Sequence, residues 1–246
     1  MMPGLSRLTI IIYTVVLIFN IAGCASPPAS RHAKKEPPYL LRTSTPSGIR
    51  VQGVYHTIKR GETLWRIAKT YNIDLQYLAE LNNIDDPARI TAGQKVFVPG
   101  ATATKTLNPR YSEPPSTPPR ITTGGKDFIW PVQGKVVSTF GIRNGLRYEG
   151  IEIAVPSETP VKASNDGEVV YEGNLKGYGN LVIIKHKNQF NTVYAYNQTN
   201  LVHTGRKVKK GEIIAAAGNT GPCSDHRLHF QIRKANQARN PLFFLP

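Results

Sequence analysis

Hydrophobic and polar positions change their spacing along the chain and divide it into distinct segments. An apolar-rich run at 54–58 has the length of a short strand, and a second such run lies at 94–98. Between them, apolar residues recur at helical spacing in two stretches. The second stretch begins after the candidate N-cap residue Asp74 and is closed by the asparagines at 82–83. This order predicts a small βααβ domain at 54–99, a size at which a single core is marginal but can fold alone.

Residues 127–246 follow a different pattern. Short apolar or alternating runs are separated by closely spaced glycines, and no stretch has a convincing helical period. Turn signals at this density are typical of a mainly-β sandwich or barrel-like sheet. Two proline-rich segments, a tether at 24–53 and a linker at 100–126, flank the small domain and indicate a multidomain chain. As a random coil the tether spans about 30 Å, and fully stretched it reaches about 100 Å.

The first 23 residues have the pattern of an export signal. A basic start precedes an almost entirely apolar run at 8–21, which is too short for a comfortable membrane span of about 20 apolar residues. The Ile-Ala-Gly-Cys sequence that ends at Cys24 resembles the bacterial lipobox, whose cysteine is diacylated and becomes the new N-terminus. The resemblance implies membrane attachment through lipid on Cys24, and Ala25 after it favours the outer membrane, facing the periplasm. The alternative is an ordinary secretory signal followed by a chance cysteine.

The chain is strongly basic, with 31 Lys and Arg against 16 Asp and Glu and a formal net charge of +15. Such a charge favours an anionic partner. Because an exported protein does not meet cytoplasmic DNA, we expect peptidoglycan carboxylates or lipid headgroups rather than nucleic acid. With Cys24 committed to lipid, Cys223 has no intramolecular partner, which excludes a disulfide framework. We expect Cys223 to be a small buried residue, with a redox or intermolecular role as the alternative.

Residues 54–99 resemble the LysM module over their whole length. The resemblance implies a βααβ fold that binds polymers of N-acetylglucosamine, and so peptidoglycan. It also implies that two loops form the glycan groove. Both loops stand at helix boundaries, where backbone groups lack partners within the helix, as a shallow site for an acetamido group requires. For Leu64, the alternative of a core position is also expected. The glycan-binding residues implied by the resemblance are Gly61, Glu62, Thr63 and Leu64 in the first loop and Asn82, Asn83 and Ile84 in the second.

Residues 127–246 resemble the M23 zinc metallopeptidase domain, which is of the LytM type with a duplicated hybrid motif-like, mainly-β fold. Nearly the full domain is covered. The motifs that carry the resemblance include Gly134-Lys135-Val136-Val137-Ser138-Thr139-Phe140-Gly141, Gly150-Ile151-Glu152-Ile153-Ala154, Thr192-Val193-Tyr194-Ala195 and Leu228-His229-Phe230-Gln231-Ile232-Arg233.

The positions that hold zinc and perform catalysis in this family are mostly replaced. The first ligand falls on Tyr148, the aspartate ligand on Glu152, and the two catalytic histidines on Tyr196 and Arg227; only the last ligand is kept, as His229. A catalytic zinc needs three protein ligands and an open position for water. An arginine cannot ligate a metal, and a tyrosine of ordinary pKa, about 10, is a poor general base near neutral pH. We therefore expect no metal, no cofactor and no catalysis.

The combination of lipobox, LysM module and an M23 domain without its ligands resembles the NlpD/EnvC group of murein hydrolase activators. The resemblance implies a non-enzymatic protein whose vacated groove binds an N-acetylmuramoyl-L-alanine amidase during cell division or daughter-cell separation. The groove residues would be Tyr148, Glu152, Tyr196, Arg227 and His229. Two alternatives stay open: a wall-tethering module without an activator role, and an active zinc murein endopeptidase.

Overall fold

The computed structural model describes residues 48–111, 121–122 and 127–246. The predicted signal peptide, Cys24, most of the tether and part of the linker lie outside the described residues. Among the residues that are described, no helix has the length and apolar character needed to cross a bilayer.

The predicted βααβ order of the small domain is confirmed. Thr63 and Asp74 are the N-caps of its two helices, and each side-chain oxygen accepts a hydrogen bond from a backbone N–H of the first turn. The two strands of the domain pair antiparallel, and the apolar faces of both helices pack on the strands around buried Leu64, Ile67 and Leu78. From residue 49 to residue 99 the elements are β1 (Ile49–Arg50), β2 (Gly53–Thr57), α1 (Leu64–Tyr71), α2 (Leu75–Leu81), a short 3-10 turn (Pro87–Arg89) and β3 (Lys95–Pro99).

The second domain is mainly β, as expected. Short 3-10 turns at Pro109–Tyr111 and Pro241–Phe243 lie before and after its strands. These strands are β4 (Lys135–Ser138), β5 (Gly141–Arg143), β6 (Leu146–Tyr148), β7 (Ile151–Ala154), β8 (Pro160–Lys162), β9 (Gly167–Leu175), β10 (Gly179–Lys185), β11 (Phe190–Asn200), β12 (Lys207–Val208), β13 (Ile213–Ala217), β14 (Arg227–Lys234) and β15 (Gln237–Arg239).

One large antiparallel sheet organises the second domain. Its main path runs in the order β12-β9-β10-β11-β14-β7-β4, with β13 and β15 attached to β11 and β14, and β8 attached to β13. The main hydrophobic core of the domain includes side chains from the strands of this sheet, among them fully buried Ile151, Ile153, Tyr194 and Phe230. Because β11, β14 and β7 are consecutive neighbours in this path, side chains far apart in sequence meet there.

The ends of the two predicted linkers are structured where the structure describes them. Residues 49–50 were expected to belong to a flexible tether, but they form β1, which pairs with β6 beside Tyr148. The start of the predicted linker packs back on the small domain, with Leu107 buried in its core and the Lys105 backbone N–H donating to the Tyr71 hydroxyl at 2.7 Å. Proline content marked both segments as linkers, but it carried no signal for these long-range contacts.

Candidate functional site

Three adjacent strands bring together four of the five residues expected in the vacated groove. Glu152 on β7 lies directly across from His229 on β14, and Ala195, which precedes Tyr196 on β11, pairs with the other side of His229. Arg227 begins β14, two residues before His229, and two residues apart on a strand means the same face. The four side chains come together because their strands pair. A family resemblance can predict this, since it assigns each residue to a strand of the related fold.

The fifth residue, Tyr148, is engaged elsewhere. It ends β6, and the guanidinium of Arg143 stacks over its ring at 3.8 Å from the ring centre. The backbone at Gly48 passes close to the same ring. Tyr148 therefore belongs to the hairpin β5–β6, which is covered at its edge by β1.

Glu152 is the centre of the polar cluster. Its Oε2 accepts a hydrogen bond from Arg227 Nη1 at 2.9 Å, and its Oε1 accepts one from the Tyr196 hydroxyl at 3.2 Å. Arg227 Nη2 also donates to Asp225 Oδ2 at 2.7 Å, so the guanidinium lies between two carboxylates. The hydrogen bond with Glu152 raises the pKa of Arg227 further above its ordinary value. The cluster thus has its own fixed cation beside the carboxylate.

Tyr196 is poorly suited to act as a base. Its side chain is buried, and burial together with the nearby Glu152 carboxylate raises the pKa of its hydroxyl well above the ordinary value of 10.0. The residue also has a positive φ of 72°, and Gly221 packs directly on its ring. A Cβ at Gly221 would lie 2.0 Å from Tyr196 Cδ1, so only glycine lets this loop close over the ring.

The hydrogen bonds around His229 fix its tautomer. The side-chain oxygen of Gln231 accepts from Arg233 Nη1 at 3.0 Å, so the Gln231 amide nitrogen points to His229 Nε2, also at 3.0 Å. An amide nitrogen only donates, and His229 Nε2 must therefore accept and carry no proton. This assignment, made from the network, places the proton on Nδ1, which faces Glu152 Oε1 at 4.0 Å.

These residues do not fit a catalytic zinc. A ligating histidine presents a lone pair to the metal and donates its other N–H to an acceptor, whereas His229 is held in the opposite arrangement by Gln231. The Arg227 guanidinium already pairs with the other candidate ligand, Glu152. Within the described ranges, no three His, Cys, Asp or Glu side chains are grouped so that they could hold a metal ion. Two donors, one of them in the wrong tautomer, are too few for such a site.

Burial of His229 gives the protein a specific pH dependence. Burial lowers the pKa of His229 from 6.5 to about 3, so the unfolded chain binds a proton between these values that the folded protein does not bind. This stabilisation is complete above pH 6.5 and is lost as the pH falls toward 3, by at most about 1.4 kcal/mol per pH unit. We expect His229→Gln to show a shallower loss of unfolding free energy between pH 6.5 and pH 4 than the wild type.

Urea unfolding across this pH range measures the difference. Exposed His203 offers the matched control, and His203→Gln should keep the wild-type slope. Equal slopes for wild type and His229→Gln would contradict the buried, neutral state of His229.

The residues that orient His229 through hydrogen bonds were not identified from the sequence. Gln231 orients His229, Arg233 orients Gln231, and the Arg233 guanidinium is in turn held by the buried Glu149 carboxylate at 2.9 Å. The period of two along β14 places residues 229, 231 and 233 on one face, and this pattern could have suggested Gln231 and Arg233 as neighbours of His229. Glu149 lies in the short connection between β6 and β7, and its role depends on tertiary packing alone.

The first predicted glycan loop carries out structural tasks in this fold. The Thr63 side chain caps α1, and Leu64 is fully buried in the core of the module. The Glu62 carboxylate lies 2.9 Å from His56 Nε2. Gly61 has a positive φ of 82°, and a Cβ there would meet no atom within 4 Å, whereas its carbonyl accepts a hydrogen bond from Arg66 Nη1 at 3.3 Å.

The second predicted glycan loop is also engaged. The Asn82 amide bonds to Leu78 and to the backbone of Phe97, which ties α2 to β3. Ile84 is buried in the module, and the Asn83 side chain turns to the second domain.

Cys223, expected to be buried, is only half-buried, and burial raises the pKa of its thiol.

Comparison with known families agrees with this architecture. The LysM domain model matches residues 56–99, and the model of peptidase family M23 matches residues 147–241. The fold and these two matches together define a LysM module joined to an M23-type domain.

Similar proteins narrow the family. The chain is 41% identical over 209 residues to Uncharacterized lipoprotein YgeR of Escherichia coli (strain K12), which covers 79% of this chain and 82% of that protein. It is 33% identical over 260 residues to Murein hydrolase activator NlpD of the same organism, covering 79% and 68%. Lipoprotein NlpD/LppB homolog of Pseudomonas aeruginosa is 31% identical over 271 residues, covering 92% and 88%. The chain belongs to the NlpD family of lipoproteins that combine LysM and M23 domains, which confirms the resemblance drawn from the sequence.

Proposed function

We propose that this protein binds peptidoglycan through its LysM module and activates an N-acetylmuramoyl-L-alanine amidase through its M23 domain, without cutting the wall itself. Lipid on Cys24 would anchor it in the outer membrane facing the periplasm, and the activated amidase would act in cell division or daughter-cell separation. The observation that carries the proposal is the Arg227–Glu152 ion pair. By the resemblance to the M23 family, these two residues lie at the positions of a catalytic histidine and a metal ligand. The relative named a murein hydrolase activator supports the direction of the effect.

The exposed part of the cluster suggests how a partner protein would be recognised. The Arg227 side chain keeps 20% of its surface exposed, and its partner Asp225 is largely exposed. An acidic side chain on the amidase could replace Asp225 on the guanidinium, and a charge-assisted pair with a planar arginine fork is among the stronger polar contacts. Tyr196 is too deeply buried to be a contact and supports Glu152 from below. Arginine is also enriched among interface hot spots.

The test compares dye release from labelled sacculi by the protein alone, by a resting amidase alone, and by the mixture. The proposal expects no release by the protein alone and a clear increase over the amidase in the mixture. A tethering module would sediment with sacculi and leave the amidase rate unchanged, which would refute activation. Release by the protein alone would favour the endopeptidase alternative.

A further inference from the structure

The LysM module is docked on the M23 domain through a buried ion pair. Glu80 near the end of α2 is fully buried, and its carboxylate accepts two hydrogen bonds from the Arg239 guanidinium, at 2.8 and 2.6 Å. The backbone N–H of Asn240 donates to the same carboxylate at 3.1 Å, and the Asn240 side chain donates to the Glu80 carbonyl at 3.2 Å. Gln76 of the same helix also donates to Glu80 Oε1, at 2.9 Å, and the three bonds from Arg239 and Asn240 tie α2 to the end of β15.

Apolar packing surrounds this ion pair. Leu81 and Phe97 of the LysM module form one buried cluster with Phe140 and Ala238 of the M23 domain. Arg147 on β6 also reaches the Tyr77 hydroxyl at 3.4 Å. An apolar core with satisfied polar groups is the composition of a specific interface rather than of a passing contact.

The docked surface includes the second predicted glycan loop. Both ends of the Asn83 amide are used: Nδ2 donates to the Phe140 carbonyl at 3.2 Å, and Oδ1 accepts from Asn240 Nδ2 at 2.9 Å. A Cβ at Gly141 would lie 2.9 Å from the Leu81 carbonyl oxygen and 3.0 Å from Asn83 Nδ2, so the backbone of β5 lies directly against the loop. Asn83 itself remains exposed, but a glycan that bonds to its amide would have to displace the Phe140 and Asn240 contacts.

We propose that wall glycan and the M23 domain compete for the loop Asn82–Ile84, so that the docked protein is the form with low glycan affinity. This inference rests on the proposed glycan-binding role of that loop. A ligand that binds only the undocked form has its apparent affinity reduced by the fraction of undocked protein. By the same linkage, a bound glycan strand favours release of the LysM module from the M23 domain.

Charge reversal at the interface tests the competition in the full chain. Arg239→Glu places two carboxylates in one buried site and should favour undocking, so we expect sedimentation with isolated sacculi at an affinity about tenfold higher than the wild type. The matched control is Arg206→Glu, which makes the same change in net charge at an exposed pair with Glu212. Loss of positive charge alone weakens binding to an anionic wall, so a gain in Arg239→Glu cannot arise from net charge. If Arg239→Glu bound sacculi no more tightly than the control, the inference would be overturned. If the wild type still bound sacculi in that experiment, the proposed glycan binding would stand on its own.

A second measurement needs no substitution. The Asn240 amide, which donates to Glu80 across the interface, should exchange its hydrogen about tenfold faster when the wild-type chain is saturated with an N-acetylglucosamine oligomer. The Ile232 amide, in the pairing of β14 with β11 and β15, serves as the reference and should keep its protection. Unchanged exchange at Asn240 under saturation would overturn the competition. Failure of both sacculi and oligomer to bind any form of the chain would remove the glycan-binding proposal and this inference together.

Discussion

Arg227→Glu is expected to remove most of the stimulation of the amidase. The substitution puts a third carboxylate beside Glu152 and Asp225, where the structure has one guanidinium between two acids. An acidic partner side chain would then meet repulsion instead of a charge-assisted hydrogen bond. Loss of a hot-spot arginine costs about 2 kcal/mol or more, which corresponds to an apparent affinity about 30-fold weaker. The measurement is the amidase rate against activator concentration.

Two further variants separate recognition from general effects of charge or folding. Arg206→Glu makes the same charge change at an exposed pair with Glu212 and should stimulate like the wild type. Arg227→Lys keeps the charge but loses the planar fork, so it should fall between wild type and Arg227→Glu. Undiminished stimulation by a folded Arg227→Glu protein would rule out this residue as the recognition point.

Glu149→Ala is expected to cause the largest loss of stability. The Glu149 carboxylate is almost fully buried and holds two guanidinium groups, those of Arg233 at 2.9 Å and of Arg147. Removing it leaves the buried Arg233 charge without its acid, a change that costs about 3–5 kcal/mol. For a domain of this size the melting temperature of the M23 domain should fall by about 10 °C.

The comparison for this prediction is Glu212→Ala, which breaks an exposed ion pair with Arg206. Exposed pairs contribute about 0–1 kcal/mol, so this variant should melt within about 3 °C of the wild type. Similar small shifts for both variants would mean that Arg233 is solvated or compensated after the loss of Glu149.

The parts of this structure that could be predicted are those that depend on interactions between residues close together in the sequence. The βααβ module could be predicted because its signals are local: Asp74 is the N-cap of α2, and the apolar spacing of α1 and α2 matches their buried faces. The glycine-punctuated pattern gave the β character of the M23 domain, but not its strand order. Pairing of β14 with both β11 and β7 joins segments far apart in sequence, which local patterns do not encode.

For the site, the positions of the residues could be predicted, but their hydrogen-bond partners could not. Four positions carried over from the family, Glu152, Tyr196, Arg227 and His229, lie in one cluster, because the strands that carry them pair with one another. The resemblance gave no indication that Gln231 would reverse the tautomer of His229 or that Arg227 would pair with Glu152. Those features depend on which neighbours reach a side chain once the sheet has formed.

The Arg227 guanidinium compensates the charge of Glu152 in the polar cluster. A largely buried carboxylate without a cation is costly, and Arg227 provides a positive charge 2.9 Å from the Glu152 carboxylate. Tyr196 fills the adjacent volume and donates to the same carboxylate. Tyr196 and Arg227 are therefore both hydrogen-bonded to Glu152, and we expect that a single substitution to histidine would not create a metal site there.

Metal analysis of the purified protein, combined with the dye-release assay on the same sample, tests the regulatory role most directly. We expect zinc far below one equivalent, no release of dye from murein by the protein alone, and increased release when the amidase is added. One equivalent of zinc together with unaided degradation of murein would contradict a site built on the Arg227–Glu152 pair.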